Sequence, residues 1–142
     1  MLVLGWHGGV YAREEDDAGM SFGTHDGAAV LLEDGEIVAA AEEERLSRVK
    51  HANFFPARAI RYVLRERGVE LGDLDCIVSD SDEPSLDAYA TFECLAEPKL
   101  PMRGGRDWVA ALFEREFGQD VRAKVRFCRH HLAHLYAAFY MS

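Results

Sequence analysis

A chain of 142 residues is long enough for one compact domain, and an apolar share of 49% is typical of a globular protein rather than a disordered or fibrous one. The formal net charge of −9 argues against a nucleic-acid backbone as the main partner, because such binders usually display a basic surface. We find no signal peptide, no apolar run long enough to cross a bilayer and no C-x-x-C pair, so we expect a cytoplasmic protein without a disulfide framework.

The first third of the chain predicts three strands. Residues 2–7 form a short apolar strand candidate, and residues 8–24 read as an irregular loop rich in glycine and acidic side chains. Two β-compatible runs then flank the pair Asp34 and Gly35, which suits the positive φ angles of a type I′ turn. We therefore predict a hairpin after the first strand.

Helices and strands alternate through the rest of the chain. Pro56 opens a predicted helix that ends at Gly68, and the run CIVSDS predicts a buried strand after it. A connection over residues 82–105 holds one short helix, and Asp107 is a reasonable N-cap for the next helix. Residues 121–127 alternate apolar and basic side chains, which predicts a half-buried strand before the last helix. The expected order is βββαβαβα, an α/β fold with no clear domain linker.

Three histidines open the last helix. His130 and His134 are four residues apart, so they project from one helix face and can bind one metal ion. His131 points about 100° away around the helix and is better placed for a ligand. The alternative is that these are ordinary hydrogen-bonded histidines, and spacing alone leaves both interpretations open. Two ligands do not complete a metal site, so the missing ligand is expected outside this chain.

A glycine-rich turn lies before the second strand. Gly23, Thr24, His25, Asp26 and Gly27 follow one another, and glycines let successive amides approach phosphate oxygens. The alternative is a plain tight turn that joins two strands.

A basic segment follows the third strand. It includes Arg45, Arg48, Lys50 and His51, which either hold an anionic substrate or form a solvated surface.

Three stretches in this order resemble the O-carbamoyltransferases of the nodulation and antibiotic-tailoring type. They are HDGAAVLLEDGEIVAAAEEERLSRVKH (25–51), FPARAIRYVL (55–64) and RHHLAHLYAAF (129–139). The resemblance implies an actin-like (ASKHA, RNase H-like) half-domain with a mixed sheet, similar to the metal-binding subunit that makes threonylcarbamoyl-adenosine in tRNA. It also implies that His130 and His134 bind a divalent metal, iron or zinc, with an aspartate from later in the family's chain.

The resemblance further implies a reaction. Family members use ATP and carbamoyl phosphate to form carbamoyl-adenylate in a YrdC-like domain, and the carbamoyl group then passes to a substrate hydroxyl beside the metal. The resemblance places His25 and Asp26 near the nucleotide or acceptor and Lys50 near an anion. His25, Asp26 or His131 would accept the hydroxyl proton, and the turn containing Gly23, Thr24 and Gly27 would contact phosphates.

The sequence departs from the family in two ways. An insertion over residues 10–22 follows the first strand, and relatives continue for several hundred residues. We therefore expect residues 1–142 to be the N-terminal portion of the actin-like domain. A C-terminal fragment or second subunit would complete it, the acceptor would be a small-molecule alcohol, and the assembly would be free to form homo-oligomers.

Two alternatives stay open at this point. One is a non-catalytic metal- or nucleotide-binding regulatory module that folds and binds its ligand alone. The other is a tRNA-modification subunit, which the acidic charge balance disfavours.

Overall fold

A computed structural model describes residues 1–10, 25–96 and 104–140. The strands are β1 (Leu2–His7), β2 (Ala28–Glu33), β3 (Glu36–Glu42), β4 (Cys76–Ser79) and β5 (Val125–Phe127). The helices are α1 (Glu43–Ser47), α2 (Ala57–Arg67), α3 (Glu83–Ala96), α4 (Gly105–Phe117) and α5 (His130–Tyr140). The predicted alternation of strands and helices is confirmed, with two differences. Helix α1 is an addition, and α3 is longer than the short helix expected within residues 82–105.

The five strands form one mixed sheet in the order β3-β2-β1-β4-β5. The predicted hairpin is confirmed, since β2 pairs antiparallel with β3 around Asp34 and Gly35, whose φ angles are 53° and 92°. Strand β1 pairs antiparallel with β2 but parallel with β4, and β4 pairs parallel with β5. The carboxyl ends of β1, β4 and β5 therefore lie at one edge of the sheet.

The core lies on one face of this sheet. Alternate residues of the strands, among them Leu4, Leu31 and Ile77, are fully buried there. Helix α2 packs against β2 and β3, and the ring of Phe55 lies 5.1 Å from both the Trp6 and the Phe113 ring centroids in edge-to-face geometry. These aromatic contacts join the sheet to α4.

Two predicted boundaries were wrong. The predicted strand over 121–127 is β-structure only from Val125, because Arg122–Lys124 forms a 3₁₀ turn. The Lys124 ammonium donates to the Leu71 carbonyl at 3.2 Å and to the Gly72 carbonyl at 2.6 Å. These contacts hold the 3₁₀ turn against residues 71–72.

The N-terminus of α4 also differs from the prediction. Asp107 is not its N-cap, because the helix begins at Gly105, whose N–H donates to Asp87 Oδ1 at 2.7 Å. A carboxylate from α3 therefore supplies the acceptor that Asp107 was expected to provide. Asp107 lies in the first turn and forms an ion pair with Arg122.

Glu43 is a buried acid that caps α2 from another helix. Pro56 precedes α2 and offers no side-chain acceptor, so the first amides of α2 need an external partner. Glu43 is 1% exposed, and its Oε2 accepts the Ala59 N–H at 2.9 Å. Burial raises the pKa of Glu43 above 4.5, against the backbone hydrogen bonds that lower it.

We expect Glu43→Ala to lower the free energy of unfolding by about 2 kcal/mol, because it leaves buried amides without an acceptor. Glu43→Gln is the matched control, since it keeps an acceptor oxygen and removes only the charge. The raised pKa means that the folded chain holds this proton more tightly, so the contribution of Glu43 is greatest at acid pH and declines as pH rises above 4.5 through the raised value. Urea unfolding at several pH values should therefore show that Glu43→Gln gains stability relative to the parent chain as pH rises. A difference between the two that stays constant with pH would contradict this account.

Candidate functional site: a histidine pair at the sheet edge

Three polar side chains meet where three neighbouring parallel strands end. His7 is the last residue of β1, Asp80 follows β4, and His130 opens α5 shortly after β5. Because β1, β4 and β5 run parallel, their carboxyl ends lie at the same edge of the sheet, and so do these three residues. One potential ligand atom from each of the three lies within 4.8 Å of the others.

Asp80 holds both imidazoles. Its Oδ2 atom lies 2.8 Å from His7 Nδ1 and 3.0 Å from His130 Nδ1. Burial alone would raise the pKa of Asp80, but the hydrogen bonds from His7 and His130 outweigh it and hold that pKa below its usual value. Asp80 is therefore an ionised carboxylate that accepts from both rings.

His7 has both ring nitrogens committed as donors. Its Nε2 lies 2.8 Å from the His25 carbonyl oxygen, which can only accept, and its Nδ1 faces the Asp80 carboxylate. The hydrogen bond with Asp80 raises the pKa of His7, against partial burial that lowers it. Both nitrogens thus face acceptor oxygens, so His7 positions its neighbours and is not free to bind a metal.

His130 and His134 face each other across one turn of α5. Their Nε2 atoms are 3.0 Å apart, and their rings are nearly perpendicular with centroids separated by 4.5 Å. Because His130 Nδ1–H donates a hydrogen bond to Asp80, the lone pair of the ring is on Nε2. That lone pair is directed towards His134.

This arrangement fits a divalent metal. Metal-binding histidines usually donate their second ring N–H to a carboxylate, which fixes the tautomer and raises the basicity of the ligand, and Asp80 provides that contact to His130. Two imidazole nitrogens suit zinc or iron. The residues that would hold the ion are His130 and His134.

A second cluster lies around Asp26. Its Oδ2 is 2.7 Å from His25 Nδ1 and its Oδ1 is 2.8 Å from His51 Nδ1, so one carboxylate holds two imidazoles. The hydrogen bonds from His51 and then His25 lower the pKa of Asp26. His51 is also tied by its N–H to Glu44 Oε2 at 3.2 Å. The His7 contact with the His25 carbonyl links the two clusters.

Both Asp26 and His51 adopt left-handed backbone conformations, with φ angles of 60° and 54°. Such angles are uncommon for residues other than glycine and occur often at functional sites. The side chains of His25, Asp26 and His51 remain about half or more exposed, so the cluster holds its imidazoles in place without burying them.

The carbamoyltransferase N-terminus family model matches residues 17–142. The chain belongs to the carbamoyltransferase family. The match spans both clusters except for His7, which precedes it.

Three curated proteins are similar to this carbamoyltransferase chain. Nodulation protein NolNO of Sinorhizobium fredii is 40% identical over 153 residues, which cover 100% of this chain and 21% of NolNO. An uncharacterized 19.2 kDa protein of Rhizobium etli is 40% identical over 75% of this chain and 63% of its own length. The uncharacterized protein sll1178 of Synechocystis is 44% identical over 66% of this chain and 15% of its own length. The chain thus spans only part of each relative.

The other predicted site residues of this carbamoyltransferase chain lie in different settings. Gly23 and Thr24, like most of the 10–22 insertion, fall outside the described residues. The Gly27 N–H donates to the Ala52 carbonyl at 2.9 Å, and an added Cβ would lie 3.3 Å from that oxygen, so close packing accounts for this glycine. Lys50 is exposed beside His51. His131 is exposed, with its ring centroid 5.8 Å from that of His130. Their functional roles stay predictions.

Sequence reasoning missed His7 and Asp80 and gave His51 only a general place in a basic segment. The available signal was position, since His7 and Asp80 follow apolar strand runs directly. Parallel pairing of those strands would have placed both residues at one edge. The pairing itself depends on contacts that are distant along the chain.

A cavity of about 620 Å³ lies between the sheet and helix α5 in this carbamoyltransferase chain. His7 and Asp80 lie at its wall, together with Ala133 and Tyr136 of α5, while small apolar side chains of the sheet form most of its floor. Among the helices of residues 1–10, 25–96 and 104–140, none is both long and apolar enough to cross a membrane.

Proposed function

We propose that this chain is the N-terminal portion of an O-carbamoyltransferase. It transfers the carbamoyl group of carbamoyl-adenylate, made from ATP and carbamoyl phosphate, to a hydroxyl of a small molecule in the cytoplasm. The observation that carries the proposal is the histidine pair, with Nε2 atoms 3.0 Å apart and a carboxylate behind one ring, in a chain of the carbamoyltransferase family.

In this proposal His130 and His134 hold a divalent metal, iron or zinc. Such an ion, when bound, neutralises charge on the adenylate phosphate and orients the mixed anhydride. Asp80 keeps the His130 ring in the tautomer that leaves Nε2 free, and His7 balances the charge of Asp80.

His25 is the proposed base. Asp26 holds its Nδ1 at 2.7 Å, which leaves Nε2 to accept a proton, and the ring is 71% exposed. The acceptor hydroxyl oxygen attacks the carbamoyl carbon, and a new carbon–oxygen bond forms. The bond from that carbon to the phosphate oxygen breaks, AMP leaves, and the hydroxyl proton moves to His25 Nε2.

The proposed assembly includes further polypeptide. NolNO is about five times as long as the segment matched here, which is 21% of it, so the YrdC-like activity and a third metal ligand would come from the remaining part. We also assign the sheet order β3-β2-β1-β4-β5, with an antiparallel hairpin beside parallel strands, to an actin-like half-domain. Its phosphate-contacting hairpin would be β2 and β3.

Reconstitution tests this function. The chain is co-expressed with the part of NolNO outside the matched segment, and the complex receives ATP, carbamoyl phosphate and a panel of aminoglycoside, macrolide and glycoside alcohols. We expect mass spectrometry to detect an acceptor that has gained one carbamoyl group, together with AMP. A metal-loaded complex that gives no carbamoylated product with any acceptor would contradict the proposal.

Two variants assign the base in the same assay. His25→Gln should lower the transfer rate by about 10²–10⁴-fold without changing metal content, because it removes a proton acceptor. His131→Gln tests the other histidine that sequence reasoning left open. A large rate loss for His131→Gln and none for His25→Gln would reverse the assignment.

A further inference from the structure

Helix α5 carries the histidine pair and presents an apolar surface that no element of residues 1–10, 25–96 and 104–140 buries. Its large side chains are exposed to 39–76%: Leu132, Leu135, Tyr136, Phe139 and Tyr140. None of the described residues of α5 is buried, although the helix is apolar along most of its length. An apolar patch of this size on a folded domain marks a contact surface.

The sheet beside α5 is open as well. Gly5, Val30 and Val78 alternate with the buried residues of β1, β2 and β4, so they point to the face opposite the core. All three are only partly buried, and they line the 620 Å³ cavity together with Tyr136 of α5. The exposed helix and the open sheet face therefore form one continuous apolar surface, which we name the α5 surface.

We propose that the α5 surface docks the polypeptide that corresponds to the rest of a full-length carbamoyltransferase such as NolNO. This inference rests on the proposed two-part assembly and not on the transfer reaction. The lengths favour this occupant, since the whole chain aligns with 21% of NolNO and the other roughly four-fifths of NolNO lies outside that segment.

The histidine pair gives a second reason for this occupant. His130 and His134 supply two ligands, and a stable metal site takes three or four. A partner seated along α5 brings its own groups to the helix that already carries the pair. A second copy of this chain would cover the surface without supplying the additional polypeptide of the relatives, and it would bring together two chains of net charge −9.

Single charges on α5 test the docking. The chain is mixed with the part of NolNO outside the matched segment, produced as a separate polypeptide, and binding is measured by calorimetry and sedimentation. We expect a one-to-one complex that Leu135→Asp and Phe139→Asp each weaken by about 30-fold or more, because each buries a charge in an apolar interface. Leu46→Asp is the matched control, since Leu46 is 36% exposed on α1, which packs against α2 on the core side of the sheet, and it should change binding by less than about 3-fold.

The stability and self-association of the variants complete the test. Leu135 and Phe139 are 66% and 75% exposed, so the thermal midpoints of their variants should match that of the parent chain. Absence of a complex, or equal weakening by Leu46→Asp, would overturn the inference. So would a homodimer of the chain alone that Leu135→Asp abolishes, because the occupant would then be a second copy. A complex that forms with the expected variant pattern but transfers no carbamoyl group supports the docking and contradicts the function.

Discussion

Replacing His134 by alanine is expected to remove saturable Zn²⁺ binding from the reconstituted complex. In the structure His134 Nε2 lies 3.0 Å from His130 Nε2, so its loss leaves a single imidazole at the proposed site. The decrease in affinity should exceed the about 10–100-fold that loss of an outer-shell partner costs, since a ligand itself is removed. His130→Ala should have the same effect. Isothermal titration of the reconstituted complex with Zn²⁺ measures both, and its metal content by mass spectrometry provides a second readout.

His131→Ala is the matched control for this prediction. It removes one imidazole from the same helix turn, but the His131 ring centroid lies 5.8 Å from that of His130, whereas the His134 centroid lies 4.5 Å away. Zn²⁺ affinity should therefore stay within about 3-fold of the parent value. Equal losses for His131→Ala and His134→Ala would show that any histidine of the turn binds the ion, and the assigned pair would then be wrong.

The fold could be predicted from local patterns wherever a pattern had one solution. Asp34 and Gly35 both adopt the positive φ angles that their residue types suggested, and Gly68 ends α2 as expected. The failures occurred where a distant partner decides the local structure. Asp87 of α3 replaces Asp107 as the acceptor at the start of α4, and no pattern within residues 104–107 indicates this.

The same distinction applies to the site. His130 and His134 are four residues apart in the sequence, so their proximity followed from helix geometry alone. Asp80 is separated from His130 by 50 residues and from His7 by 73, and only the parallel pairing of β1, β4 and β5 brings the three together. The family resemblance named residues of both clusters, His25 and Asp26 included, but not the carboxylate that orders the first cluster.

Asp80→Asn is expected to lower Zn²⁺ affinity by about 10–100-fold while leaving one binding site per chain. Asparagine keeps an oxygen acceptor, but it removes the negative charge of Asp80, whose Oδ2 lies 2.8 Å from His7 Nδ1 and 3.0 Å from His130 Nδ1. His130 is then free to adopt the other tautomer or rotate, which weakens a ligand without deleting one. The same change should lower the free energy of unfolding by about 1–3 kcal/mol, because the partly buried His7 ring loses its charged hydrogen-bond partner.

His7→Gln separates positioning of the ring from general loss of structure. It removes one contact of Asp80 but leaves the carboxylate beside His130, so Zn²⁺ affinity should fall by less than in Asp80→Asn even where the two variants lose similar stability. The Co²⁺ absorption spectrum of each variant reports the ligand set directly. If Asp80 is a metal ligand, Asp80→Asn should lose binding as completely as His134→Ala. Any Co²⁺ spectrum that remains should then differ from that of the parent chain. An unchanged Zn²⁺ affinity would show that Asp80 only pairs with His7 and does not position His130. The intermediate loss that we expect distinguishes a positioning carboxylate from both.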